Sequence, residues 1–403
     1  MLHKFTFILI ISMPVIDTLN GLLIRNGYPS IAKVIKPILL LLMCICIITF
    51  LKREMVLILF SILCINILII SHTFSIYFSL KDLIIDIDWL IKYIFWIISF
   101  YFFYIFKTDI NTIYKLANFF FFIYFLNLIL GFLGIGYSQY KISEKESIGS
   151  VGFIYAGNEL SIALVLLEIV ILSILLYRKQ YIRFYIYILL FIIAALLKAT
   201  KTLFFSAFFV PAIILFFFSI SKGKHLFDLK IYKTNLYFFL FYTFILVILF
   251  PITVYILLFY VGLINRVEFW LKKLDLITFL LSSRNLFAEE LINYMFENLS
   301  FINFLFGYGR PSLRELKSAE MDFIDFMFAY GLLGIGLIIF NALIWIYKIS
   351  KINSKLKNIC LISIFYIFTI SALSGHVINS TMGAITFGFL ISITRVTRYN
   401  KNA

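Results

Sequence analysis

Residues 260–322, YVGLINRVEFWLKKLDLITFLLSSRNLFAEELINYMFENLSFINFLFGYGRPSLRELKSAEMD, are the one long interruption in a chain that otherwise reads as bilayer. They hold Arg266, Lys272, Lys273, Arg284, Arg310, Arg314 and Lys317, with Glu289, Glu290, Glu297, Glu315 and Glu320 among them. On both sides run apolar segments of roughly 20 residues, the length that crosses a hydrocarbon core near 30 Å. With 63% hydrophobic and 14% charged residues over 403 positions, the chain is no ordinary soluble globule. Strict alternation of period two is absent, which argues against a barrel. The expected class is an all-α, polytopic integral membrane protein of about twelve transmembrane helices. We expect a single membrane domain, 1–403, with 260–322 as a large extracytoplasmic loop within it.

The expected spans are 5–24, 34–51, 55–72, 88–106, 116–136, 153–176, 184–198, 202–220, 236–258, 323–347, 358–374 and 380–395. Met1 to Lys4 and the apolar run behind them resemble a signal peptide, but a small-x-small cleavage site is missing. The segment therefore reads as a retained first span. Orientation follows from Lys and Arg placement. With the N-terminus cytoplasmic, the inner loops are Lys52-Arg53, Lys107–Lys115, Arg178–Arg183, Lys222–Lys233, Lys348–Lys357 and Arg395–Lys401. An even number of spans returns the basic C-terminus to the same side. Both termini are thus expected in the cytoplasm of a multi-pass cytoplasmic-membrane protein.

The net charge of +15 does not imply a nucleic-acid partner, because the charges sit in short clusters between apolar runs, as topology signals do. The cysteines Cys44, Cys46, Cys64 and Cys360 lie in or beside apolar segments. Cys44 and Cys46 stand about 200° apart around a helix, so neither a disulfide nor a metal site is expected, and no cofactor.

Within the large loop, Ser282 or Ser283 caps a short helix running to about Asn298. Leu286, Ile292, Phe296 and Leu299 give that helix an apolar face suited to a membrane surface. Arg284 beside its start combines a planar guanidinium with free N–H groups, a good phosphate site. Gly307-Tyr308-Gly309-Arg310-Pro311 reads as a turn. Asp322 and Asp325 share a helix face behind Glu320. They form either an interfacial acidic collar or a general base and a clamp for an arginine. His376 lies in the tight turn 374–380 between the last two spans, on the side of the large loop. Lys198 and Lys201 flank Thr200 in another short turn, where both ammonium groups either point at one anion or snorkel to headgroups. Asp17, Glu159 and Glu168 are acids inside spans, where charge is costly and function is the default reading. Asp17 shares a face with Asn20 and Gly21. Glu159 lies near the outer surface, and Glu168 reads as a buried structural partner.

Several local patterns occur in order along the chain: Pro14-Val15-Ile16-Asp17-Thr18-Leu19-Asn20-Gly21, Tyr155-Ala156-Gly157-Asn158-Glu159-Leu160, Ser283-Arg284-Asn285 and Leu305-Phe306-Gly307-Tyr308-Gly309. Glu320-Met321-Asp322 then leads into Tyr330-Gly331-Leu332-Leu333-Gly334. Together with the large loop before the last three spans, they resemble the O-antigen ligase/polymerase superfamily, most closely the Wzy-type repeat-unit polymerases. The resemblance implies a GT-C-like membrane glycosyltransferase that joins undecaprenyl-diphosphate-linked oligosaccharide repeat units into a surface glycan such as O-antigen or capsule. It implies metal-independent, inverting transfer at the outer face of the cytoplasmic membrane, with a chain-length regulator and a flippase as partners. The family's large-loop arginine falls on Arg284. Its other arginine falls on Lys198 or Lys201, where lysine keeps the charge and loses the fork. The ligase branch carries a histidine eleven residues before the glycine found here at Gly331, and counting back reaches Glu320 instead. Arg284, Arg310, Lys201 and Lys198 are thus the expected diphosphate ligands. Arg284, Glu320, Asp322 and His376 are the expected catalytic residues, and Glu159, Asp325 and Asp17 the supporting polar ones. Glu320, Asp322 and His376 all remain open as the base. A ligase-type transferase and a lipid-linked oligosaccharide flippase are the alternatives.

The orientation is tested by a reporter enzyme fused within 265–315: activity outside the cytoplasm is expected, and a cytoplasmic signal overturns the arrangement.

Overall fold

The computed structural model describes residues 2–50, 79–141, 147–222, 229–231, 281–314 and 316–395, with scattered positions at 62–76, 237–255, 275 and 278. The expected spans 55–72 and 236–258 lie largely outside the described residues, as do Arg266, Lys272, Lys273, Glu315 and Cys64.

Among the described residues the helices are α1 (Leu2–Arg25), α2 (Ala32–Phe50), α3 (Leu80–Ile105), α4 (Ile110–Phe132), α5 (Gly157–Tyr177), α6 (Tyr181–Lys198), α7 (Lys201–Ser219), α8 (Arg284–Glu297), α9 (Phe301–Phe306), α10 (Asp322–Ser350), α11 (Lys357–Leu373) and α12 (Thr381–Thr394). Seven of them, α1, α2, α4, α5, α6, α7 and α10, are long and apolar enough to cross a membrane. The protein is an all-α membrane protein. Val34, Ile38, Leu41, Ile45 and Ile48 follow the helical period along α2, and all are exposed, which only a lipid surround makes favourable.

The helix α5 is the axle. Every residue from Glu159 to Leu176 is buried, with α4, α6, α7 and α12 packed around it. Buried along its whole length too, α12 fits between α3 and α5. Gly383 lies against Trp96, and Gly388 against Phe103. Missing side chains let these helices approach closely, the usual device of membrane bundles. The α6–α7 pair is two separate helices, divided at Ala199, whose φ of +52° stops α6.

Two features are absent from the sequence reading. One is an antiparallel hairpin of β1 (Tyr137–Lys141) and β2 (Ser147–Gly152), which rests on α4 through Ser150 Oγ donating to Leu128 O at 2.6 Å. A smaller ladder joins β3 (Ile220–Lys222) to β4 (Leu229–Ile231). The second feature is a break in α10 at Gly331 (φ 60°, ψ −155°). There the carbonyls of Phe328 and Ala329 lose their helical donors and accept instead from the N–H groups of Tyr308 and Gly309, both at 2.9 Å. The Gly307–Gly309 turn is thereby strapped onto the broken helix.

A Cβ at Gly331 would meet the Phe304 and Leu305 carbonyl oxygens at 2.6 Å, and its positive φ costs an L-residue roughly 1–2 kcal/mol besides. Gly331→Ala is expected to lower the melting temperature of the purified protein. Gly336→Ala, with nothing near its Cβ, is expected to leave it unchanged or raise it, alanine being the better helix former.

Candidate functional site

Polar side chains collect at the end of the bundle where the large loop meets the helices. Two buried carboxylates in the first turn of α10 organise it. Asp325 accepts from Ser318 Oγ at 2.6 Å and from the Ala319 N–H at 2.9 Å, tying the end of the loop to the helix. On the same face, Asp322 Oδ2 accepts from Ser371 Oγ at 2.7 Å and from the Val377 and Ile378 N–H groups, each at 2.8 Å. The turn between α11 and α12 is thereby pinned, and His376 Nδ1 lies 4.0 Å from Asp322 Oδ1. His376 acts electrostatically on both carboxylates. Each is occupied by backbone and hydroxyl donors, so the acidic pair is a fastening for two irregular segments.

Glu320 and Arg284 close the cluster. Arg284 Nη2 donates to Glu320 Oε2 at 2.9 Å, and Glu320 remains 46% exposed while Arg284 is largely buried. Arg284 Nε is buried and has no hydrogen-bond partner among the described residues. The arginine opens α8, but the expected serine cap is not formed. Ser282 and Ser283 both adopt left-handed backbone, and Ser283 makes no side-chain cap bond. Ser282 Oγ instead accepts from Lys201 Nζ at 3.1 Å, which brings the start of α7 to the site. Thr202 and Ser374 share a hydroxyl hydrogen bond at 3.0 Å. A Cβ at Gly375 would meet the Glu320 Cβ and carbonyl oxygen at 2.7 Å, so the Glu320 corner sits directly on the His376 turn. Leu286, Ile292, Phe296 and Leu299 of the α8 segment are exposed, and Ala288 and Leu291 face inward, as an apolar surface helix requires.

Arg310 approaches from beside α3. Its backbone N–H donates to Asp86 Oδ1 at 2.8 Å, and its guanidinium lies 4.7 Å from the centre of the Trp89 ring. Arg310 Nη1 is buried without a hydrogen-bond partner among the described residues. The Asn379 amide brackets Trp89, accepting from its Nε1 at 2.8 Å and donating to its carbonyl at 3.2 Å. Arg310 also acts electrostatically on Asp325.

Lys198 is a correction. It is fully buried and donates to Gln139 on β1, away from Lys201 and Ser282. The left-handed Ala199 ends the helix between the two lysines, so helical i, i+3 spacing does not apply and they do not face one anion. Asp17 lies outside the cluster, paired with Lys36 at 2.9 Å, while Asn20 accepts from Ser30 Oγ at 2.8 Å and Ala32 N–H at 3.0 Å at the start of α2. Glu159 supports from below. It accepts from the Thr381 N–H at 3.1 Å and pairs with Lys92 at 3.8 Å, holding the start of α12. Glu168 is fully buried, and neither oxygen has a hydrogen-bond partner among the described residues, so its expected structural partner is not found.

Lys36, Asp86, Trp89, Lys92 and Asn379 are the contributors that sequence reasoning missed. The fourth span was expected from residue 88, but α3 begins at Leu80 and carries Asp82, Asp86 and Asp88 inside the helix. Three acids entering an aromatic-rich helix were the available signal. Asp86 and Asp88 have an Asp-x-Asp spacing, but helical geometry sends them about 200° apart. Asp86 faces Arg310 and Tyr330, and Asp88 acts on Lys36. Comparison of the chain with protein-family models, with curated proteins and with solved structures gives no match.

Glu159→Ala would remove the partner of Lys92 and leave the Thr381 N–H without its acceptor. Losing the acceptor of a buried N–H costs on the order of 1–3 kcal/mol. A clear drop in the melting temperature of the purified protein is expected, with Glu159→Gln losing less.

Proposed function

We propose that the protein polymerises undecaprenyl-diphosphate-linked oligosaccharide repeat units at the outer face of the cytoplasmic membrane, with the large loop outside. The observation that carries this reading is the pair of arginines at one end of the bundle, each with a buried N–H that no group among the described residues satisfies. An unsatisfied guanidinium donor is costly where water is scarce, and a lipid-linked diphosphate is the anion that arrives at this depth. Planar forks suit phosphate oxygens.

In such a reaction a growing glycan on its lipid diphosphate is the donor. The terminal hydroxyl of an incoming repeat unit attacks the anomeric carbon from the opposite face, and the lipid diphosphate leaves with the bonding electrons. Negative charge therefore grows on the diphosphate, and fixed cations bind the transition state more tightly than the ground state. Glu320, exposed and paired with Arg284, is the group an arriving diphosphate displaces. Lys201, held on Ser282 beside Arg284, adds a third cation. Both prenyl tails stay in the bilayer, which restricts the encounter to one plane.

One observation favours a transporter: the Asp17–Lys36 and Lys92–Glu159 pairs lie within helices, where a substrate path would place charge. Gene deletion separates the readings. A polymerase mutant keeps single repeat units at the surface, a ligase mutant accumulates long lipid-linked polymer, and a flippase mutant traps units inside. Within the polymerase reading, Arg284→Ala is expected to slow chain growth roughly 100-fold or more, the effect of removing one donor from a developing oxyanion. Normal chain length in that strain would overturn the diphosphate role.

A further inference from the structure

A glycosyl transfer of this kind needs a group that removes the hydroxyl proton. Glu320 pairs with Arg284 at 2.9 Å and, once displaced by the diphosphate, stands beside the leaving group, whereas the hydroxyl attacks from the opposite face. Asp322 Oδ2 is taken by three donors and the side chain is wholly buried. Asp325 is held by Ser318 and Ala319. Among the acidic and imidazole groups of the cluster, His376 is the one with no side-chain hydrogen bond to the described residues, its Nδ1 being without a partner, and its side chain is 28% exposed. Its backbone stands at φ +54°, a left-handed conformation that is uncommon outside glycine and that recurs at active sites.

We infer that His376 is the general base that takes the proton of the attacking sugar hydroxyl, with Asp322 as its positioning residue. The assignment rests on the polymerase reading above. Nδ1 faces the Asp322 carboxylate, whose Oδ1 is buried without a hydrogen-bond partner, so the Nδ1–H tautomer is favoured. The lone pair of Nε2, at the opposite edge of the ring, then points away from the carboxylate. The 4.0 Å separation is longer than a hydrogen bond and closes when substrate orders the site, as catalytic contacts commonly do. As the hydroxyl oxygen bonds to the anomeric carbon, its proton passes to Nε2 and the bond from that carbon to the diphosphate breaks. Asp322 stabilises the imidazolium, which then returns its proton to solvent. Asp322 cannot wander in this role, because the peptide N–H groups of Val377 and Ile378, just past His376, are its own ligands. Base and positioning carboxylate are parts of one turn.

The test uses full-length protein in lipid vesicles with a short-chain polyprenyl-diphosphate repeat unit. Two variants keep the turn: His376→Gly, at ease with positive φ and leaving room for a small molecule, and His376→Asn, which tolerates the left-handed region. Both are expected to lose about 10²–10⁴ in kcat with KM little changed. Added imidazole is expected to restore His376→Gly in proportion to its concentration and to leave Asp322→Asn unrescued. Full activity in either histidine variant overturns the assignment. A loss in His376→Gly that imidazole does not relieve also overturns it and leaves His376 a structural residue. Wild-type protein that makes no polymer overturns the polymerase reading and this assignment with it.

Discussion

At membrane depth a backbone N–H that leaves a helix must find an acceptor inside the protein, because no water supplies one. The loop end of this bundle is built around that obligation. Asp86, Glu159, Asp322 and Asp325 each accept the N–H of a residue in a non-helical segment or at its edge: Arg310, Thr381, Val377 with Ile378, and Ala319. A missing acceptor costs on the order of 1–3 kcal/mol per group, so these are strong fasteners. Three of the acids lie in the first turn of their own helices, where the helix dipole favours negative charge. Each carboxylate is thus stabilised from its own helix and used to hold a neighbour.

The broken helix α10 applies the same rule with the partners reversed. Its Gly331 kink exposes carbonyls, and the Gly307–Gly309 turn supplies the N–H groups. Glycine is required on both sides, because a Cβ at Gly307 would run into Ala329 and Tyr330. The strap fixes the chain just before Arg310, whose own N–H then goes to Asp86. Two successive backbone fastenings therefore deliver one guanidinium to the face of Trp89, although Arg310 comes from the long polar loop.

Local rules reached as far as local physics does. Apolar runs and basic clusters located the helices, and the i, i+3 spacing of Asp322 and Asp325 put them on one face. The same argument failed at Lys198 and Lys201 because Ala199 lies in the left-handed region, and an alanine gives no warning of that. Lys36 and Lys92 were invisible as site residues, since nothing within either helix names Asp17 or Glu159 as partner across the bundle. The hairpin escaped notice because its strands are short and lack an alternating apolar pattern. The glycines of its second strand, Gly149 and Gly152, both at positive φ, were the signal that could have found it. Arg284 opposite Glu320 was legible as charge chemistry, but their distance was not.

Among the described residues, six other than glycine have positive φ: Lys179, Ala199, Ser282, Ser283, Glu320 and His376. Ser282 and Ser283 precede Arg284, Glu320 pairs with it, His376 follows the Gly375 that packs on Glu320, and Ala199 lies two residues before Lys201. Left-handed backbone costs an L-residue roughly 1–2 kcal/mol, so its concentration at one corner needs a compensating force. The carboxylate fastenings provide it, since the Val377, Ile378 and Ala319 N–H groups adjoin the strained His376 and Glu320. Strain of this kind persists only where the surroundings over-determine it. A loop free to relax would let His376 and Arg284 drift apart. Held as it is, the corner keeps an imidazole and an unsatisfied guanidinium within one small cluster before any substrate arrives. Preorganisation of that kind is what a charge-separating transfer rewards.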